Sequence, residues 1–412
     1  MRLSGKLGAL AERDFRLVFS STTISAVGDG VAAIALVFAV LQIAHNSATA
    51  VGIVLASRQA AAAIVTLAAG VLSDRLPRHL VLVAVASVQA VVQATVATLV
   101  LGGSATVPLL AGLAALYGLA DGFEIPASQG LIPAVISKAR LQQANALLGL
   151  SRSILGFGAP ALGGLLVAAG SPGSAIAIDA VSFAVAALLL LRVRVAPRDD
   201  AVAPAPFLAE LRDGWREMRR IPWLSSTLVF FGLSNFANQS FPVLAPLVFK
   251  QHYGGAGAYG AVLSTFSVGT IVGGLVALRW RPGRPLLASC LATIAMPFGY
   301  LLLALRAPLP VLFVFQLLNG IGLALHLALW FTVFQREVPE RARARISSFD
   351  ALGSFVLVPI GTAVVGPIAG VIGIKATLLA AGATMIGTKA AIVSRRSVWA
   401  IRRDPELSPA AA

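Results

Sequence analysis

Between two long apolar runs the chain carries the stretch Gly70-Val-Leu-Ser-Asp74-Arg75-Leu-Pro77-Arg78-His79. The first run ends near Ala69 and the second begins at Leu80. A connection this short that holds an acid and two arginines is expected to lie in water, between two helices that cross a membrane. Short loops rich in arginine and lysine stay on the cytoplasmic side of a membrane. The stretch therefore predicts both a membrane fold and which side of it is inside.

The composition of the whole chain supports a protein solvated by lipid. Apolar residues make up 58% of the chain and charged residues 12%, and the mean hydropathy is +0.87. About one quarter of the residues in a soluble domain are charged. The net charge of +15 comes from small basic clusters between apolar runs, whereas nucleic-acid binding needs a continuous basic surface. We therefore expect membrane lipid, and no nucleic acid, among its partners.

Cysteine and histidine usage predicts neither a disulfide framework nor a metal site. The single cysteine, Cys290, excludes an internal disulfide, and the four histidines are scattered along the chain. The sequence contains no nucleophile-base constellation and no phosphate-binding loop. We therefore expect no cofactor and no enzyme activity.

Twelve apolar runs have the length of about 20 residues that a membrane-crossing helix needs. The sequence thus predicts an all-α membrane protein with two six-helix bundles at residues 1–194 and 222–412, joined by a cytoplasmic linker at residues 195–221. The predicted spans cover residues 17–43, 50–72, 80–101, 107–126, 145–169, 174–193, 223–249, 257–279, 285–305, 309–334, 346–371 and 374–394.

The positions of the basic residues predict the orientation of these spans. Of the 32 basic residues, only Lys250, Arg306 and Lys375 fall in the predicted outer loops. Under the positive-inside rule, this asymmetry places both termini in the cytoplasm. We expect a multi-pass monomer in the inner membrane of the cell.

The two halves of the chain contain a weak internal repeat. Gly70 and Arg75 end the second span, and Gly274 and Arg279 end the eighth at the same spacing. The pattern Gly-x-x-x-Asp-Arg-x-x-Arg also resembles the loop between helices two and three of the major facilitator superfamily of transporters, whose members have two parallel six-helix halves.

That resemblance implies that Gly70, Asp74, Arg75 and Arg78 form a cytoplasmic gate, a charge latch between the halves. The alternative is that these are ordinary topology charges at a helix end. Gly70 and Asp74 favour the latch, because neither residue adds anything to a topology signal.

A second motif, Gly156-Phe-Gly158-Ala159-Pro160-Ala-Leu-Gly163-Gly164, lies in the fifth span. It resembles the antiporter motif of drug exporters, Gly-Pro-x-x-Gly-Gly, with alanine at position 159 where glycine is usual. Small residues let two helices approach closely, and proline permits a bend in a membrane helix. General small-residue packing would explain the same composition without any role in exchange.

Charges within the lipid zone are costly and are therefore functional candidates. Asp29 in the first span and Arg58 in the second lie at similar depths, so an ion pair between them is plausible. A buried carboxylate near an arginine can load and release a proton, but the pair could equally be a static link between spans. Asp121 and Glu124 at the inner end of span four are expected to meet Arg152 in span five, either as a gate or as compensation for a buried arginine.

Three further stretches resemble one efflux branch of the superfamily, that of the macrolide and enterobactin exporters. Besides Asp29, they are Arg13-Asp14-Phe15-Arg16-Leu17, Asn145, and Ile178-Asp179-Ala180-Val181-Ser182-Phe183. Asp179 itself is expected to be shallow on the outer side and to reach water. Lys389 is expected to extend to the inner membrane surface.

A substrate pocket is expected at mid-membrane between the halves, and ordinary interhelical packing is the alternative for each residue assigned to it. An apolar pocket with few charges would suit hydrophobic or amphipathic substrates. The candidates are Phe38, Phe231, Asn235, Asn238, Gln239, Gln316, Asn319, His326 and Trp330.

The resulting hypothesis is a secondary active transporter that exports drug-like or secondary-metabolite molecules in exchange for protons, by alternating access. The alternative is an uncoupled or symport carrier for a specific metabolite.

Overall fold

The computed structural model describes residues 8–195, 216, 221–338 and 357–402, and for residues 67–75, 153, 157 and 222 it describes the backbone alone. All regular elements within these residues are helices. This confirms the predicted all-α fold. A helix satisfies its own backbone hydrogen bonds, which lipid cannot do.

The described residues of the first half of the chain contain seven α-helices. Three short 3₁₀ turns accompany them, at Gly8–Ala11, Ile132–Ala134 and Lys138–Arg140. The α-helices are α1 (Arg13–Ile43), α2 (Ala48–Arg75), α3 (Arg78–Leu101), α4 (Val107–Asp121), α5 (Glu124–Leu131), α6 (Leu141–Ala169) and α7 (Pro172–Leu190).

The second half, as far as it is described, contains nine α-helices. They are α8 (Pro222–Asn238), α9 (Ser240–His252), α10 (Ala256–Ala277), α11 (Pro285–Ala292), α12 (Met296–Ala304), α13 (Leu309–Glu337), α14 (Leu357–Ile372), α15 (Ile374–Val393) and α16 (Arg396–Ala400).

Ten segments of the described ranges are long and apolar enough to cross a membrane, and α14 is a shorter apolar helix. The consecutive helices α8 and α9 stand where the seventh span is predicted. Together with α14 and the ten longer segments, they account for the twelve predicted spans. The start of the eleventh predicted span, residues 346–356, lies outside the described residues, as does almost all of the predicted linker.

Within the described residues, three of the predicted spans are broken, and each break begins three or four residues before a proline. Pro126, Pro242 and Pro297 follow the breaks that begin at Gly122, Gln239 and Thr293. Proline has no N–H for the carbonyl four residues earlier, and its ring clashes with that carbonyl. The apolar pattern predicts continuous spans at residues 107–126, 223–249 and 285–305, and proline geometry explains the difference.

The chain separates into two compact units. Unit 1 comprises Met1–Pro204, Val243–Ser264 and Thr362–Pro367, and unit 2 comprises Ala205–Pro242, Thr265–Gly361 and Ile368–Ala412. In unit 1, α1 packs on α6 and α7, α3 packs on α7, and α2 packs on α4. In unit 2, α15 packs on α8 and α12, and α11 packs on α13. The division into bundles at residues 194 and 222 stays a prediction.

Candidate functional site

Arg58 of α2 lies among the charged and polar side chains of two neighbouring helices. Its Nη2 donates to Oδ1 of Asp29 at 3.2 Å and to Oδ2 of Asp121 at 3.4 Å. The Tyr117 hydroxyl donates to the same Oδ1 of Asp29 at 2.9 Å, and the guanidinium carbon lies 4.2 Å from the centre of the Tyr117 ring. The structure thus brings Asp29, Arg58 and Asp121 together, which we call the Arg58 cluster with Tyr117 as its fourth member.

A close helix crossing positions this cluster. Gly118 stands between Tyr117 and Asp121 on α4, and a β-carbon there would overlap the backbone carbonyl of Arg58. Only glycine allows α4 to approach α2 so closely at this level. Tyr117 and Asp121 are four residues apart, so they share one face of the helix. Sequence reasoning missed Tyr117, although this spacing is a signal that could have found it.

The Arg58 cluster has the chemistry of a proton-binding site. Two carboxylates share one guanidinium, so its formal charge is −1, and one bound proton would neutralise it. The three charged side chains remain partly accessible, at 24% for Arg58, 41% for Asp29 and 31% for Asp121. Tyr117, in contrast, is only 4% exposed and closes one side of the cluster.

The helix break at Gly122 separates Asp121 from Glu124. The two residues would share a face of an unbroken helix. In the structure Asp121 pairs with Arg58, whereas Glu124 begins α5 and lines a cavity together with Arg152. The expectation that Asp121 meets Arg152 is therefore wrong, because Pro126 interrupts the helix between the two acids.

Asp179 of α7 is fully buried, which contradicts its expected exposure on the outer side. Gln93 of α3 donates to its Oδ2 at 2.5 Å, and the Ser182 hydroxyl lies 3.2 Å from its Oδ1. A β-carbon on Gly28 would collide with both that Oδ1 and the hydroxyl. Depth along a span does not reveal which face is covered, and α1 and α3 cover this one.

The cytoplasmic gate motif is only partly described. Gly70, Asp74 and Arg75 belong to the last turns of α2, and their side chains lie outside the described part of the structure. Arg78 begins α3, and its guanidinium occupies the space that a β-carbon on Gly130 of α5 would need. The latch stays a prediction.

The antiporter-like motif packs α6 against two other helices of unit 1. A β-carbon on Gly163 would lie 2.9 Å from the Cα of Val31 in α1, and one on Gly164 would lie 2.5 Å from the carbonyl oxygen of Ala256. Pro160 lies inside α6, and its carbonyl faces Gly260 of α10. Gly158, in contrast, has open space where its β-carbon would be. Gly163 and Gly164 therefore provide close helix packing.

The aromatic pocket candidates divide between the two units. Phe38 is buried in unit 1, with its ring centre 6.3 Å from that of Tyr259. In unit 2, the ring centre of Phe231 lies 5.1 Å from the ring centres of both His326 and Trp330. The hydroxyl of Ser289 forms a hydrogen bond with Nδ1 of His326 at 2.9 Å. Trp330 belongs to the core of unit 2.

The polar pocket candidates of unit 2 make contacts within their own helices and between neighbours. Asn238 accepts from the Tyr300 hydroxyl at 2.6 Å, and the Gln239 amide donates to the backbone of Asn235 at 3.1 Å. Asn319 donates to Gln316 at 2.9 Å. Only the first of these contacts joins two helices, and the assignment of the five residues to a substrate pocket stays a prediction.

Lys389 does not extend to the membrane surface as expected. Its ammonium group donates to the Thr293 hydroxyl, which stands at the broken end of α11. The broken helix offers polar atoms within unit 2, so the lysine is satisfied there instead of at the surface.

At the membrane edge, Glu12 fixes the start of α1. Its carboxylate accepts from the Ser137 hydroxyl at 2.7 Å, from the Ser137 backbone at 2.9 Å and from Arg140 at 3.4 Å. The Ser137 hydroxyl, followed by the other two donors, lowers the pKa of Glu12 from its ordinary 4.5, against the opposing effect of burial. This contact ties the first helix to the loop that precedes α6.

The model of one family, described as the Major Facilitator Superfamily, matches residues 18–362 of the chain. The chain belongs to this superfamily. It is therefore a multi-pass membrane transporter and not an enzyme, and transporters of this kind are typically free of cofactors.

Curated relatives include two proteins named for export. The chain is 26% identical to the multidrug efflux pump Tap of Mycolicibacterium fortuitum, over 90% of this chain and 92% of Tap. It is 26% identical to the enterobactin exporter EntS of Salmonella paratyphi A, over 96% of this chain and 94% of EntS. A match to the uncharacterized MFS-type transporter YvqJ of Bacillus subtilis, at 23% identity, spans 58% of this chain and only 59% of YvqJ.

Solved structures of transporters share the fold. A bacterial homologue of the human lysosomal transporter Spinster, in an inward-facing and unoccupied conformation, has a TM-score of 0.71 and 16% identity over 95% of this chain and 98% of its own. The nucleoside transporter NupG has a TM-score of 0.70 and 15% identity over 92% of this chain and 98% of its own. At these identities the likeness concerns the fold alone.

Proposed function

We propose that this protein exports drug-like or secondary-metabolite molecules across the inner membrane in exchange for protons. The Arg58 cluster carries the proposal, since two carboxylates around one guanidinium can bind a proton in one state and release it in another. The names of the relatives Tap and EntS supply the direction of transport. Both termini are cytoplasmic, and one chain suffices for transport.

Alternating access supplies the mechanism of exchange. Bundles 1–194 and 222–412 move against each other about a site near mid-membrane, as in related secondary transporters. Loss of the proton from Asp29 or Asp121 strengthens the attraction to Arg58 and draws α1, α2 and α4 together. Binding of a proton weakens this attraction. Coupling arises because the two states of the cluster favour different helix arrangements.

Everted membrane vesicles with an acid interior test this function. A panel of lipophilic dyes and antibiotics is added while the proton gradient is recorded. An exported compound enters the vesicle as protons leave, so the gradient falls for that compound alone. Asp29→Asn should abolish the response, and Asp14→Asn should preserve it, since Asp14 pairs with Arg13 at the start of the same helix. A full response in Asp29→Asn would contradict the role of the cluster.

An uncoupled or symport carrier for a specific metabolite is the second candidate function. The observation in its favour is that Arg58, Asp29, Asp121 and Tyr117 also suffice as a static link between α1, α2 and α4. Counterflow of labelled substrate distinguishes the candidates. Counterflow that is insensitive to Asp29→Asn would favour the carrier.

A further inference from the structure

Unit 1 contains a cavity of about 50 Å³ that is separate from the Arg58 cluster. Five helices, α1, α3, α5, α6 and α7, surround it, and the polar part of its lining consists of Ser21, Thr22, Ser25, Gln89, Glu124, Ser128 and Arg152. Apolar residues, among them Val85 and Phe183, complete the wall. We call this space the inner chamber. Each enclosed water needs roughly 10–15 Å³ of such space, so the chamber holds about four waters and is too small for a drug-like molecule.

Burial gives the chamber a floor and a mouth. Ser21, Gln89 and Phe183 are 2–4% exposed, whereas Arg152 is an exposed residue. Glu124 and Ser128 lie between these extremes. The chamber therefore leads from the surface of unit 1 past the carboxylate to a buried floor.

The floor contains an unsatisfied hydrogen-bond donor. Gln89 is 2% exposed, and its Nε2 finds no hydrogen-bond partner among the described side chains and backbone. A buried amide without a partner costs about 1–3 kcal/mol. A bound water in a polar chamber removes this cost, because buried waters typically bridge otherwise unsatisfied groups.

We propose that the inner chamber binds a cluster of water molecules, anchored by Gln89, through which Glu124 exchanges protons with the aqueous phase at the mouth. The proton role rests on the proposed proton-coupled function, whereas the water site does not. Arg152 of α6 faces the chamber beside Glu124, and Asp29, Arg58 and Asp121 are the other charges that act on it. The serines from α1 and α5 supply hydroxyls along the path.

Hydroxyl-radical footprinting of the unmodified protein tests the water site. Radicals made from bound water oxidise the side chains next to it, even buried ones. Phe183 lines the chamber and is 4% exposed, while Phe38 is 5% exposed and packs on Tyr259. We expect Phe183 to be oxidised several times faster than Phe38. Equal, slow oxidation of the two rings would show that the chamber is dry and would overturn the proposal.

Two variants test the link between the water and the proton. Gln89→Leu removes the anchoring amide, and Ala86→Leu fills the space, so each should slow oxidation of Phe183 and slow compound-driven proton release from vesicles. Neither variant should slow release further when combined with Glu124→Gln. Ala86→Leu remains informative if Gln89→Leu fails to fold, because it leaves Gln89 in place.

The outcomes separate this proposal from the proposed function. Rapid oxidation of Phe183 together with a wild-type chain that releases no protons for any compound would leave the water site standing and reject the antiport. Normal proton release in a variant that has lost Phe183 oxidation would reject the proton path through Glu124 while the antiport stands.

Discussion

The hydrogen bond from Tyr117 to Asp29 offers a direct energetic test of the Arg58 cluster. Tyr117→Phe removes the hydroxyl that donates at 2.9 Å and keeps the ring beneath Arg58. A hydrogen bond to a charged group contributes about 1.5–3 kcal/mol. Asp29 is 41% exposed, so water replaces part of the lost bond. We therefore expect the free energy of unfolding to fall by about 1–2 kcal/mol.

Tyr117→Leu should cost more than Tyr117→Phe, since it also removes the ring. The lost ring contributes a cation–π contact with Arg58 of about 0.5–2 kcal/mol. It also contributes an edge-on contact with Phe183, whose centre lies 5.9 Å away, of about 0.5–1.5 kcal/mol. The ring is 4% exposed, so these contacts are not replaced by water.

A double-mutant cycle isolates the hydrogen bond. Unfolding free energies are measured in detergent micelles for the parent, Tyr117→Phe, Asp29→Ala and the double variant. The two substitutions should be coupled by about 1 kcal/mol, since residues in direct contact are not additive. Phe38→Leu with Asp29→Ala serves as a control pair that should be additive. A Tyr117→Phe cost that is the same with and without Asp29 would refute the bond.

Three other predictions concern residues of unit 1. Because the folded-state pKa of Glu12 is lowered, its carboxylate stabilises the fold above pH 4.5, and this contribution is lost as the pH falls through the lowered pKa. Glu12→Gln should therefore reduce thermal stability at pH 7 and match the parent in acid. A constant difference in stability at every pH would contradict this. Gly164→Val should lower stability and transport, since the new side chain would meet the backbone of Ala256. Gly158→Ala has free space for its methyl group and should leave both stability and transport unchanged. Equal behaviour of the two variants in thermal unfolding and vesicle assays would count against the packing role. Asp179→Leu should lower the free energy of unfolding by about 1–3 kcal/mol, because it leaves the Gln93 amide unpaired. Asp179→Asn keeps a hydrogen-bond acceptor and should lower it less. The opposite order in unfolding measured in micelles would show that charge rather than hydrogen bonding holds this contact.

The sequence predicts the helices and the first members of the site because both follow from one-dimensional patterns. Apolar length identifies the spans, and similar depth along two neighbouring spans suggests Asp29 and Arg58 as a pair. Tyr117 escapes this reasoning because depth alone does not select it. Its spacing of four from Asp121 places both on one face, and Gly118 lets that part of α4 approach α2 closely.

The errors share a physical cause, which is that membrane depth says nothing about the neighbour on each side. Depth alone places Asp179 near outer water, yet Gln93 of α3 covers it. Lys389 is assigned to the inner surface for the same reason, and Thr293 satisfies it internally. The separation of Asp121 from Glu124 could have been anticipated, because Pro126 forbids the regular turn between them.

The proline breaks also bear on how sequences of this kind can diverge. In an unbroken helix, one inserted residue rotates everything beyond it by about 100°, so every later contact changes face. The irregular turns at Gly122, Gln239 and Thr293 can absorb such an insertion. In spans four, seven and nine, the helical register before the break is thus independent of the register after it. One end can lengthen or shorten by a residue while the other keeps all its partners.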